Sequence, residues 1–524
     1  MAQASAISDG PATEAACGPL GFALAPPTPV VQPSPVGTAR PIRAAPNVSP
    51  PPPVAITPTK KEDRVEYVGP PVIVPGPPPP PAPPFPPPPP PPSPPPPAPP
   101  APPSPSRPAL VSEVSTTGAR APLLQVRPQA DRETYPDASA NRVKRTAQEP
   151  VSTLSVDVDT AAYANVRRFI QQGSRPPVDA VRVEELINYF DYGYERPSSQ
   201  DEPFAVTTTV TASPWAEGRQ IVHIGLQGYE LPEASRRPLN LTFLVDVSGS
   251  MGGPDRLELA QKTMNLAIDR LRPQDTLALT YYAHGAGTLL QPTSGSEKLK
   301  LRCAVASLRA SGGTAGAAGL TNAYDQAQAG FAPGKVNRIL MFTDGDFNVG
   351  VTDNKRLEDY VAEKRSSGVY LSVYGFGRGN YQDSRMQAIA QAGNGIAAYV
   401  DSLAEARRLF GPAFDKGAFP IADDVKLQVE FNPARVAEWR LVGYETRLLN
   451  EADFSNDRID AGEVGSGASV TALYEITPVG GPLQSPPRRY DAAPERPASG
   501  ADDEIGFIKL RYKLPGSSRS ALIE

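Results

Sequence analysis

Histidine and cysteine are nearly absent: the 524 residues hold two of each. His223 and His284 each lie in or beside a strand-like run. A Ser-His-Asp triad could use only one of them, and no G-x-S-x-G elbow accompanies either. Cys17 falls in a proline-rich tail, and Cys303 falls in the amphipathic pattern EKLKLRCAVASL, where burial in a helix is expected. A disulfide between the two is not expected, so cysteine pairing reports no redox compartment. Long apolar runs are also missing. None reaches the ~18 residues needed to span a bilayer. The first residues show neither the positive n-region nor the apolar h-region of a secretory signal. Positive charge is not in excess. The net charge of −5 argues against a nucleic-acid partner, and the basic run RVKR (142–145) reads as a short solvated linker.

Proline is the residue in surplus, and it is unevenly placed. Of 66 prolines, 45 precede residue 151. Proline donates no backbone hydrogen bond and aliphatics are sparse there, so 1–150 is expected to be a disordered tail without a core. Its dense part, Pro77–Pro105, should adopt polyproline II and span roughly 90 Å at ~3.1 Å per residue. A semi-rigid spacer is the favoured reading, and a ligand for proline-recognition modules the other. Within this tail, Ala15-Ala16-Cys17-Gly18 resembles the end of a bacterial lipoprotein box, although Glu14 stands where an aliphatic belongs. A lipid anchor at Cys17 is the corresponding expectation.

From residue 151 the pattern changes. Residues 151–237 read as an α/β segment. LSVDVD is a short strand. TAAYANVRRFIQQG is a helix capped by Asp159 or Thr160 and stopped by Gly173, and 180–190 is a second helix. PFAVTTTVTASPW (203–215) and QIVHIGLQG (220–228) alternate with period two, as paired strands do. Residues 238–412 alternate strand and helix: strands at 241–247, 276–283, 288–293, 337–343, 369–376 and 396–401, helices at 255–271, 297–308, 317–330, 354–367, 383–392 and 403–410. The pattern predicts an open, doubly wound α/β sheet with 288–293 as an antiparallel edge. Residues 420–524 read as a β-rich domain, with a Pro/Gly-rich mobile loop at 478–503. The end at SRSALIE, soon after a strand, suggests truncation.

The most informative residues lie at the ends of two apolar runs. LTFLVDVSGSM places Asp246, Ser248 and Ser250 at alternate positions after a buried strand. SGGT puts Thr314 in a glycine turn, and RILMFTDGD ends in Asp344. Together these are hard oxygen donors, mostly neutral, at the carboxyl ends of strands. Such donors suit Mg²⁺, Ca²⁺ or Mn²⁺ rather than zinc or copper. The plainer alternative is that Ser248 and Ser250 cap the helix beginning near Asp255 and that Asp344 sits in a TDG turn.

Here the chain resembles the von Willebrand factor type A domain. Asp246-x-Ser248-x-Ser250, Thr314 and Asp344 match, position by position, its metal-ion-dependent adhesion site. The flanking stretches 155–194 and 423–449 look like those of bacterial YfbK-type envelope proteins, and the resemblance covers about 151–514. It implies a metal held by those five residues, with the last coordination position left for an Asp or Glu of a partner protein. It also implies a place in the cell envelope or periplasm. Gly249, Gly252 and Gly253 leave room for close approach. A cytoplasmic scaffold working beside an AAA+ ATPase is the alternative that the missing signal favours.

Other carboxylate pairs carry less. Asp157-Val-Asp159 is similar to the nucleophile motif of haloacid-dehalogenase-type phosphatases, but Ala161 replaces the expected Thr or Val, and a strand end with a helix cap is favoured. DFSNDRIDAGEVG (453–465) has Arg458 and Val464 where a calcium loop needs Gly and Glu. GFGRGN (375–380) lacks the last glycine of a dinucleotide fingerprint. No enzyme site is expected. Because two strands alone are marginal in water, 203–228 should pair with 425–477, making the α/β domain an insertion in a β-sandwich.

Overall fold

The computed structural model describes residues 11–24, 132–137, 139–156, 159–346, 354–459, 461–486 and 504–524. A six-stranded sheet carries the site. Its strands are ordered Ala397–Val400, Val369–Phe376, Val336–Thr343, Leu239–Asp246, Thr276–Tyr282 and Ala286–Ser294. Neighbours are parallel except the last pair, the expected antiparallel edge. All of Leu239–Asp246 and Val336–Thr343 is buried, as strands covered on both faces must be. Alternate side chains leave on opposite faces. Phe243, Val245, Leu340 and Phe342 pack with Leu257–Arg270 and Leu403–Phe410, while Leu244, Ile339 and Met341 pack with Gly316–Ala329 and Asn354–Ser366. From Leu239–Asp246 the chain moves outward to one side and later returns to Val336–Thr343 on the other. Strand order therefore reverses between the two central strands, and a crevice opens beyond their carboxyl ends.

Two further sheets surround the insertion. One is ordered Lys144–Arg145, Val436–Val442, Ser469–Pro478, Gln220–Gly228, Phe204–Ala212. The other is ordered Leu448–Leu449, Val151–Ser155, Pro420–Phe431, Gly506–Lys513, Ser520–Ile523, with Gly462–Gly465 also on Pro420–Phe431. They meet through aromatic rings. Phe431 lies 5.3 Å from both Trp439 and Tyr474, and Phe204 lies 5.3 Å from Tyr512. Gln220–Gly228 pairs antiparallel with Ser469–Pro478, from Gln220↔Ile476 to Gln227↔Ser469. Pairing thus crosses the insertion, because the apolar face of Gln220–Gly228 has to be covered.

The joint between sandwich and α/β domain is made of buried charge. Arg167 forks onto Asp401 at 2.8 and 2.6 Å and reaches Glu405 at 3.0 Å. Arg182, 1% exposed, joins Glu185 and Asp383. Arg338 meets Glu463 at 2.6 Å. Asp159 accepts from the Ala397 N–H at 2.8 Å and from Arg447 at 2.6 Å. That corrects the expected cap. Thr160 holds the N-cap position of Ala161–Gln171 but makes no side-chain capping bond; Glu185 takes the Ala162 N–H, at 2.7 Å. The second helix is shorter than expected, Val183–Asn188.

Three expectations about the first 150 residues need correction. Residues 132–137 and 139–150 belong to the folded body. Glu133 pairs with the buried Arg168 at 2.7 Å, Thr134 bridges to Gln382, and Lys144–Arg145 pairs with Trp439 and Glu438. Most of these partners are hundreds of residues away, so local composition could not reveal them. Cys17 and Cys303 form a disulfide, with Cα atoms 5.4 Å apart. Closing a loop over 286 residues is possible because the cost grows only with the logarithm of length, by about 0.6 kcal/mol per doubling. The same bond overturns the lipid anchor at Cys17, since a sulfur joined to Cys303 cannot carry a thioether. The polyproline run Pro77–Pro105 and residues 487–503 lie outside the described residues. No described helix is long and apolar enough to cross a membrane.

Candidate functional site

Asp246 closes its strand, fully buried, with each carboxylate oxygen held in place. Oδ1 accepts from the Ser248 N–H at 2.9 Å. Oδ2 accepts from the Tyr282 hydroxyl at 3.1 Å and the Thr343 hydroxyl at 3.2 Å. Both donors follow from strand register: Tyr282 is the parallel partner of Asp246, and Thr343 comes next after the partner of Val245. Ser248 and Ser250 lie 3.0 Å apart, hydroxyl to hydroxyl. They do not cap the following helix, Leu257–Arg270, which has no side-chain cap. Arg256 clamps the turn by donating to the Ser250 carbonyl, and to that of Arg378 at 2.7 Å.

Asp344 directly follows the adjacent strand, Val336–Thr343, and is 1% exposed. Its Oδ1 accepts from the Asp346 N–H at 3.1 Å, so the expected turn is present. Its Oδ2 is buried and has no hydrogen-bond partner among the described residues. Gly345, at φ +92°, lets the chain turn there, and a Cβ at that position would meet the Gln382 nitrogen at 2.5 Å. The turn and a ligand role are therefore compatible, with one oxygen serving each.

The Thr314 loop is docked on the Asp246–Ser250 turn by backbone bonds. Ser311 N–H donates to Val247 O at 2.7 Å, and Gly249 N–H donates to Gly312 O at 2.9 Å. Downstream, Ala315 N–H donates to Ala283 O at 2.6 Å, and the Gly313 N–H donates to His284 Nδ1. Gly312, at φ +80°, passes so close to the His284 ring that a Cβ would lie 2.5 Å from it. Thr314 is half-buried. The Asp246–Ser250 turn, the loop that carries Thr314, and Asp344 thus lie at the switch point. The supporting residues Tyr282, Thr343, Arg256 and His284 were not anticipated. Strand register would have pointed to the first two, but register depends on knowing which strands are neighbours.

Electrostatics mark the spot. Burial, and then the charge of Asp344, push the Asp246 carboxyl up to about 7. Burial and Asp344 likewise raise Asp346. Two buried carboxylates are crowded together, with an orphaned oxygen among the described residues and the Ser248 and Ser250 hydroxyls nearby. This donor set fits a hard divalent cation. Elsewhere, Asp157 lies outside the described residues, and Asp159 is committed to Arg447 and the Ala397 amide.

Comparison with known proteins agrees with this architecture. Residues 240–411 match the von Willebrand factor type A domain, 129–223 match a von Willebrand factor family model, and 417–524 match the C-terminal region of the uncharacterized protein YfbK. The chain is 42% identical over 398 residues to the uncharacterized protein YfbK of Escherichia coli, covering 74% of this chain and 69% of that one. An inter-alpha-trypsin inhibitor heavy chain of Homo sapiens is 30% identical over 159 residues, 28% of this chain and 17% of that one. Among solved structures, a von Willebrand factor type A protein from Catenulispora acidiphila aligns with TM-score 0.39 and 18% identity, covering 64% and 73% of the two chains. The chain belongs to the YfbK-type von Willebrand factor type A proteins.

Proposed function

We propose that this YfbK-type chain is a metal-ion-dependent protein-binding module of the bacterial cell envelope, acting by adhesion or scaffolding and not by catalysis. The observation that carries the reading is the orphaned Oδ2 of Asp344, buried beside Asp246 with Ser248, Ser250 and the Thr314 loop assembled around it. A buried carboxylate oxygen without a partner is costly, by ~1–3 kcal/mol or more, and a cation would satisfy it. Mg²⁺, Ca²⁺ or Mn²⁺ would be held by Asp246, Ser248, Ser250, Thr314 and Asp344. When bound, the ion supplies an electrophilic position for one more carboxylate, from an Asp or Glu of the partner.

The chain's own residues keep that position open. Tyr282, Thr343 and the Ser248 amide fix the direction of the Asp246 oxygens. The Asp346 amide ties one oxygen of Asp344 and leaves the other without a partner among the described residues. With two carboxylates and three neutral hydroxyls, a divalent charge is only just balanced, which leaves room for a third carboxylate. For the envelope placement, the support is the Cys17–Cys303 bond, since lasting disulfides belong to oxidising compartments. The same bond weighs against a cytoplasmic scaffold beside an AAA+ ATPase. The test is capture of envelope proteins on the immobilised chain, with Mg²⁺ and with EDTA, beside an Asp246→Ala control. Partners retained equally in EDTA, or equally by the control, would defeat the proposal.

A further inference from the structure

We infer that residues 11–24 form a strap that positions the Thr314 loop, so that the Cys17–Cys303 bond and Arg309 tune the metal affinity of the site. This rests on the reading of Thr314 as a metal donor. The strap is a built structure. Its helix Glu14–Cys17 begins at Thr13, whose hydroxyl accepts from the Ala16 N–H at 3.3 Å. Ala12, Ala16, Phe22 and Leu24 pack around a buried centre of Cys17, Leu299 and Cys303. Its two attachments fall on one stretch of chain. Cys303 lies in the helix Lys298–Ser307, and Arg309, just past its end, donates to Ala23 O at 3.1 Å.

The Thr314 loop begins directly after Arg309. Two residues on, the Ser311 N–H is bonded to Val247 O; the next residue, Gly312, receives the Gly249 N–H. Thr314 is five residues from Arg309. Opposite the strap, Gln261 donates to the Val305 and Leu308 carbonyls at 3.0 and 3.1 Å. The helix end that feeds the Thr314 loop is therefore held both by Gln261, on the helix after Ser250, and by the strap, in addition to its core packing. Releasing the strap removes one of the contacts that hold this helix end. The loop then has more conformations to lose when its hydroxyl takes up a ligand position. Outer contacts that orient metal ligands are commonly worth about 10–100-fold in affinity.

Both cysteines are fully buried, so the bond acts as a staple and not as a readily exchanged switch. Reduction by a dithiol breaks the S–S bond, converts Cys17 and Cys303 to thiols, and oxidises the dithiol to its own disulfide. It requires the strap to lift first.

The experiment uses the full chain, purified from an oxidising compartment, with thiols counted by alkylation and mass spectrometry. Mn²⁺ affinity is measured by calorimetry for oxidised, fully reduced and re-oxidised protein, and for Arg309→Ala and Arg309→Lys. The expected result is a Kd about tenfold weaker on reduction, restored on re-oxidation. Arg309→Ala should also weaken Kd while circular dichroism is unchanged, and Arg309→Lys should recover part of it. Arg309→Ala keeps the disulfide, so it tests the strap even if the reduced chain unfolds. Equal Kd in Arg309→Ala and wild type, or two alkylatable thiols in the chain as purified, would overturn the strap. An oxidised wild-type chain that binds no Mn²⁺ would overturn the metal reading and the strap together, and it shows before any change to the strap is made.

Discussion

Replacing Asp246 by Asn should stabilise the metal-free protein. In the folded chain this carboxyl is fully buried, and burial with the charge of Asp344 raises it to about 7. Unfolded, it returns to about 3.9. The folded state therefore binds the proton more tightly. Stability falls as pH rises from about 4 to about 7, and the full cost stands at pH 8. A shift of about three units corresponds to ~4 kcal/mol. Asn removes that cost and keeps an oxygen for the Ser248 N–H, while its amide can donate to the Tyr282 and Thr343 hydroxyls. Rearranging those hydroxyls will offset part of the gain, so a net ~1–4 kcal/mol is expected at pH 8. The assay is urea unfolding in EDTA. It is followed by far-UV circular dichroism because Trp215 and Trp439, the two tryptophans, both lie outside the α/β domain. The gap between variant and wild type should close as the pH falls to about 4. A variant less stable than wild type at pH 8, or a gap that does not change with pH, would refute the crowded-carboxylate account.

Three other outcomes are expected from the same structure. Mg²⁺ at 100 times its Kd should stabilise the wild type by ~2.7 kcal/mol, and Asp246→Asn should lose this response; a wild-type melting curve indifferent to Mg²⁺ and EDTA would contradict the site. Arg182→Met leaves Glu185 and Asp383 buried without their cation, so denaturant unfolding should show a loss of ~3–5 kcal/mol. Gly465→Ala would set a Cβ 1.7 Å from the Lys416 carbonyl, where Phe414–Ala418 meets the sandwich, and should cost about 1–3 kcal/mol or more in the same measurement; an unchanged midpoint would mean that this joint yields easily.

Local chemistry was enough to read the α/β domain and to single out the residues proposed as ligands. Buried parallel strands leave long β-branched runs, and helices between them leave a 3.6 period, so Val369–Phe376, Asp383–Ala392 and Leu403–Phe410 were legible residue for residue. Asp246, Ser248, Ser250, Thr314 and Asp344 stand out in the sequence because each sits at the end of such a run or in a glycine turn, and their role as ligands is the proposal above. What the sequence could not determine depends on neighbours far away in the chain. Asp159 looked like a helix cap, and only tertiary packing placed it on Arg447 and Ala397. Residues 132–150 looked like the end of a proline-rich tail until Glu133 met Arg168 and Lys144 met Trp439. Cys17 and Cys303, separated by 286 positions, carried no local sign of each other; the packing of Ala16, Phe22 and Leu24 against one helix brought the sulfurs together. Periodicity reports which face of an element is buried, but not what covers it. That choice belongs to the assembled fold, where one long-range contact fixes the distance at which the next can form.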